Sequence, residues 1–192
     1  MTSNDTSDGG AVPVFPCDDD GCPSHVVVVA DADPAVVDDV ADALEGRYIV
    51  RTATTDEELC DALADGVSAV LLDPTLSASD DVLDRLVDDA DTRVAALLAG
   101  AGPVDERFDD CVRKPVSRST LRATVDRLCH CVAYRDALDR CFDLAQRVAS
   151  LSEDDPEYDR LRERLDELEA ELDEAAAPLD SIDVYEAAFR GQ

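Results

Sequence analysis

Residues 26–34 read VVVVADADP, residues 69–74 read AVLLDP, and residues 109–117 read DDCVRKPVS. The first two are apolar runs that stop at an acid, and the third places a short Cys-Val-Arg stretch before a lysine. A strand wetted on one face alternates apolar with polar residues, whereas Val26–Ala30 is apolar throughout, as a strand covered on both faces must be. Helical patterns lie between such runs. Val36, Val37, Val40 and Leu44 follow Pro34 at helical spacing, and Gly46 stops them. Tyr48–Thr52 reads as a second strand, and Thr55 with Glu58 is a capping-box signal for a helix through Leu63. Val70–Leu72 is a third strand, Val82, Leu83 and Leu86 mark a third helix, Val94–Leu98 is a fourth strand and Cys111–Arg113 a short fifth.

Strands alternating with short helices imply βαβ units and a parallel sheet with helices on both faces. Five such units within residues 25–130 fit an α/β, flavodoxin-like five-stranded parallel sheet. In sheets of this kind the site lies outside the carboxyl ends of the strands. Asp31 and Asp33 follow the first strand, Asp73 the third and Lys114 the fifth, so all four fall on that edge.

Past Ser119 no strand pattern returns. Leu121, Val125, Leu128 and Val132 suit a helix packed on the sheet, and Cys131, Tyr134, Leu138, Cys141, Ala145 and Val148 continue it as a heptad-like seam. One helix from about 119 to 151 therefore docks on the sheet and then projects beyond it. SEDDP at 152–156 breaks it, with Ser152 or Asp154–Asp155 available as the next cap. Tyr158, Leu161, Leu165, Leu168 and Leu172 form a matching seam, so an antiparallel α-helical hairpin is expected, with homodimerisation a second use for the seam. Pro178 ends that helix, and Ile182, Val184, Tyr185 and Phe189 suggest a terminal segment folding back. Residues 1–24, rich in Ser, Asp, Gly and Pro, read as a disordered acidic tail.

Forty-six acidic residues against 17 basic ones give a formal charge of −29. Such a surface repels nucleic-acid phosphates and anionic membranes, so direct DNA binding is disfavoured. It also repels itself, a cost that molar salt screens by shortening the Debye length to about 3 Å. Lys114 is the single lysine, and the Asp-rich, Lys-poor composition reads as adaptation to a salty cytoplasm. No signal peptide and no apolar run of membrane-spanning length is visible, which predicts a cytoplasmic chain with reduced thiols. Seven cysteines are present. On a helix Cys129 and Cys131 point roughly 200° apart, which argues against a shared metal ion. Cys131 and Cys141 lie on the seam and read as small core residues.

VVVVADADP, AVLLDP and DDCVRKPVS, in that order and spacing, resemble the receiver domain of response regulators. AYRDALDRCFDLAQRVASL at 133–151, YDRLRERLDELEAELD at 158–173 and EAAFR at 186–190 resemble the haloarchaeal HalX domain. The resemblance implies a receiver over 25–130 and a HalX hairpin over 119–192 that shares the last receiver helix. It also implies phosphorelay signalling in a two-component system, with Asp73 as phosphoacceptor, Lys114 contacting the phosphoryl group, and a histidine kinase as partner. A carboxylate nucleophile of this kind works with Mg²⁺, for which Asp31 and Asp33 are the candidate ligands, and a lysine adds positive charge at the phosphoryl oxygens.

Departures from the family pattern are specific. Ala32 stands where an adjacent acid is usual, Leu98 where a hydroxyl ends the fourth strand, and Cys111 where an aromatic switch residue stands on the fifth. The stretch from Leu98 to Cys111 is about one helical turn short, which predicts a trimmed fourth helix. Asp33 before Pro34 equally suits a helix cap. Two other readings follow: a phosphorylation-independent pseudo-receiver adaptor, or a transcriptional regulator acting through a partner. Arg160, Arg162 and Arg164 are interleaved with acids and read as intrahelical ion pairs rather than a DNA surface. No Ser-His-Asp set, Gly-rich phosphate loop or HExxH motif appears, so a stand-alone enzyme is not expected.

Overall fold

A computed structural model describes residues 25–63, 66–76, 83–86, 91–101, 103–152, 154–180, 183–184 and 187–188. Residues 1–24, with Cys17 and Cys22, and the side chains of Val82, Ile182, Tyr185 and Phe189, lie outside the described residues. The elements run β1 (Val26–Ala30), α1 (Pro34–Leu44), β2 (Ile49–Ala53), α2 (Asp56–Ala62), β3 (Val67–Leu72), β4 (Arg93–Leu98), β5 (Asp110–Arg113), α3 (Arg118–Ser150) and α4 (Tyr158–Ala176). Leu83–Leu86 form a helical turn between β3 and β4, on the segment read as the third helix.

All five strands are parallel in the order β2-β1-β3-β4-β5, which makes β1 and β3 neighbours at the point where the order reverses. The valine run of β1 is covered on both faces. Val27 and Val29 join α1 and the first turns of α3, while Val28 and Ala30 join α2, Leu83 and Leu86. Gly46 leaves α1 at φ +80°, a left-handed conformation that glycine adopts without cost. Arg118 and Arg122 on α3 donate to the carbonyls of Asp42 and Ala43 at the end of α1, a cation at the negative pole of a helix.

Between β4 and β5 the sequence predicts a short helix, and the described residues of that connection contain none. AGAGPVDERFDD holds two glycines and a proline, which disfavour a helix within so few residues. Instead Arg107 ties the loop down, pairing with Asp105 at 2.7 Å and Asp84 at 2.8 Å.

Helix α3 is continuous, as the overlapping stripes predict. At about 1.5 Å per residue its 33 residues reach about 50 Å. Its first half buries Leu121, Val125 and Leu128 against the sheet, and Cys129 joins them fully buried. Its second half packs Cys141, Leu144 and Val148 on Leu161, Leu165 and Leu168 of α4. Ser117 caps α3 through Thr120 N–H at 3.1 Å. The turn before α4 is held differently from the expected cap: Asp155 accepts from Glu157 N–H at 2.9 Å, and Glu157 occupies the cap position with no side-chain cap bond. The arginines of α4 pair within the helix, Arg160 with Glu157, Arg162 with Asp166 and Arg164 with Glu167.

Candidate functional site

Three strand ends deliver one constellation. Asp31 N–H bonds the Ala53 carbonyl, Asp73 N–H the Ala30 carbonyl and Lys114 N–H the Leu98 carbonyl, so each residue is the last one fixed by the sheet ladder. Their side chains then meet past its carboxyl edge. The Lys114 ammonium donates to Asp31 Oδ2 and to Asp73 Oδ2, the latter at 2.5 Å. Both acids are buried, at 3% and 6% exposure, while the lysine side chain keeps 16%.

The remaining carboxylate oxygens are also engaged. Asp73 Oδ1 accepts from the N–H and the hydroxyl of Thr75 at 2.7 and 2.6 Å. Asp31 Oδ1 accepts from Asp33 N–H at 2.9 Å. Burial pushes the Asp73 carboxyl up, and the hydrogen bonds from Lys114 and Thr75 outweigh it, leaving the group below its ordinary value. Burial pulls the Lys114 ammonium down, and its bonds to Asp31 and Asp73 outweigh that, leaving it above the ordinary lysine value. At neutral pH the pair is a carboxylate facing an ammonium.

Asp33 stands apart. Its side chain accepts from Ala35 N–H at 3.0 Å, capping α1 one residue before Pro34. Among the described residues no three acids, histidines or cysteines gather as a metal set. Asp31 and Asp73 remain as two converging carboxyl groups, and Mg²⁺ is commonly held by one or two carboxylates with several waters retained. That pair suits a hydrated Mg²⁺, and Asp33 has one carboxylate oxygen engaged in the cap of α1. Chemically, the edge presents a buried carboxylate with a fixed cation alongside, a pairing that can offset negative charge arriving at the carboxylate.

Thr75 escaped the sequence reading, although Asp-Pro-Thr is a recognisable turn in which the acid accepts from the residue two positions on. Leu98 and Cys111, two of the three positions that depart from the receiver pattern, are half-buried.

Residues 130–189 match the HalX domain family. No curated protein matches the chain. Among solved structures, NtrX from Brucella abortus in complex with ADP is 22% identical with a TM-score of 0.56, over 73% of this chain and 34% of that one. NtrX in complex with ATP gives 18% and 0.52, over 67% and 35%. A CheY-like response regulator receiver domain protein from Methanospirillum hungatei is 21% identical with a TM-score of 0.47, over 54% of this chain and 93% of that one. At these identities the likeness to NtrX establishes the fold alone. Among the described residues, no helix is long and apolar enough to cross a membrane.

Proposed function

We propose that this chain, which joins a receiver-type fold to a HalX domain, is a signal-transduction protein of the response-regulator type with Asp73 as its phosphoacceptor. The observation that carries the reading is the place of Lys114. Its ammonium bridges Asp73 and Asp31, and three residues further on Ser117 caps α3, the helix that becomes the hairpin. In the reaction an Asp73 oxygen attacks phosphorus, the donor's bond to phosphorus breaks, and the leaving group departs with that electron pair. Lys114 releases the Asp73 oxygen that becomes the bridging oxygen of the acyl phosphate and pairs with the new phosphoryl oxygens. Mg²⁺ held by Asp31 and Asp73 supplies further neutralisation of that charge when bound. The shift of Lys114 is felt at the first turn of α3. A receiver unit at 25–130 and a HalX hairpin at 119–192 then share this helix as their mechanical link. A histidine kinase is the expected donor, and the acidic hairpin passes the signal by protein contacts. The arginines of α4, paired within their own helix, favour that route over direct contact with DNA.

A second reading, a pseudo-receiver adaptor, is favoured by the capping role of Asp33 and by Leu98 where a hydroxyl is usual. One experiment separates the two. The purified protein is incubated with acetyl phosphate and Mg²⁺ in molar KCl and read by intact mass. Gain of one phosphate, absent in Asp73→Ala, supports the phosphoacceptor; an unmodified, folded protein supports the adaptor.

A further inference from the structure

Three arginines from two elements converge on the last described residues, at the end of the sheet opposite Asp73. Arg127 of α3 bonds Asp183 Oδ1 at 2.5 Å and Asp110 Oδ2 at 2.7 Å, and reaches the Asp109 carbonyl at 3.4 Å. Arg135, two turns further along α3, donates to the Ala188 carbonyl at 2.7 Å. Arg93, at the start of β4 and 2% exposed, lies 3.5 Å from the Ala187 carbonyl. The segment they hold begins at Asp180, which accepts from Asp183 N–H through its side chain and from Val184 N–H through its carbonyl. Its amino end is thus capped by an acid, and its carbonyl end is taken by guanidinium groups, the polarity a helical turn favours. Its apolar side covers the seam: Ala187 is 1% exposed, against Cys131 and Tyr134 of α3.

We infer that the segment carrying Asp183, Val184, Ala187 and Ala188 is a strap that fastens the hairpin to the β4–β5 end of the sheet and, when released, uncovers α3 at Cys131 and Tyr134. Its described residues are held by the local bonds to Asp180 and by contacts with α3, α4 and β4. It therefore opens as a local unit, separately from the sheet. Release removes Asp183 from Arg127 and leaves Asp110, at the start of β5, and the Asp109 carbonyl in place. The strap does not depend on the chemistry at Asp73.

The test uses the full chain in molar KCl and thiol labelling with a maleimide, resolved by peptide mass spectrometry. Cys131 lies under the strap, Cys129 in the sheet core and Cys141 in the hairpin core, so each thiol reports on a different region. Asp183→Asn keeps the shape and removes the charge gripped by Arg127; Ala187→Glu crowds the buried methyl. Loss of a charge-assisted hydrogen bond in the first variant, and a charged side chain forced into a buried apolar contact in the second, predict that either labels Cys131 roughly tenfold faster or more, with Cys129 and Cys141 at wild-type rates. Wild-type labelling of Cys131 in both variants overturns the strap, as does equal acceleration at all three thiols, which signals global opening.

Discussion

Lys114→Met removes the cation shared by two buried acids. Breaking a buried ion pair from one side costs about 3–5 kcal/mol, because the surviving charge keeps its burial and loses its partner. Lys114 retains some contact with water, so the lower end applies, about 3 kcal/mol at pH 7. For a chain of this size that is a fall in Tm of roughly 6–12 °C. The sign with pH follows from the shifts. Asp73 is held below its ordinary value, so its contribution is complete above about pH 3.9 and is lost as pH falls through the lower folded value. Lys114 is held above its ordinary value, so its contribution is complete below about pH 10.4 and is lost as pH rises through the raised one. The gap between wild type and variant is therefore a plateau from roughly pH 4 to pH 10 that closes at either end. Urea unfolding in molar KCl, followed by circular dichroism across that range, measures it. Adding Asp73→Asn to Lys114→Met recovers part of the loss, since one orphaned acid is gone. A Lys114→Met protein as stable as wild type at pH 7, or a deficit that persists undiminished toward pH 3, refutes the reasoning.

Three further perturbations address the scaffold. Leu128→Ala empties a fully buried position between α3 and the sheet and costs about 3 kcal/mol in urea unfolding; a loss under about 1 kcal/mol contradicts the docking of α3. Ser117→Ala removes the cap of α3 at a cost of about 1 kcal/mol, which Ser117→Asp restores. Burial, then the charge of His130, hold the His25 imidazole below its ordinary value, with Asp126 opposing. The neutral ring is thus favoured by folding, and stability falls as pH drops below about 6.5 toward the lowered value. His25→Gln flattens that slope on the acid side of about pH 6.5, and an unchanged slope places the titrating group elsewhere.

The parallel sheet was legible because its strands are apolar on both faces, a pattern that short amphipathic helices cannot mimic. Asp31, Asp73 and Lys114 were legible as a group because each directly follows a strand, and the topology brings strand ends together. The length of α3 could be read because its sheet-facing stripe overlaps its hairpin-facing stripe at residues 131–132. Other features depend on partners far away in sequence and leave no local mark. Arg93 lies just before the run read as the fourth strand, yet it is buried and reaches the Ala187 carbonyl 94 positions away. Cys129 falls outside the Leu121-Val125-Leu128 stripe, yet it is buried with the sheet core. Asp33 carried two readings, and only the positions of Ala35 N–H and Lys114 assign it to the cap of α1.

Whether events at Asp73 reach the hairpin is tested most directly by hydrogen exchange on α3 and α4 peptides, with and without acetyl phosphate. Intact mass on the same sample confirms the extent of phosphorylation. If Lys114 passes its displacement into α3, peptides spanning 131–148 change protection on phosphorylation and do not change in Asp73→Asn. A stoichiometrically phosphorylated protein whose α3 and α4 peptides exchange as before contradicts the shared helix as the route of the signal.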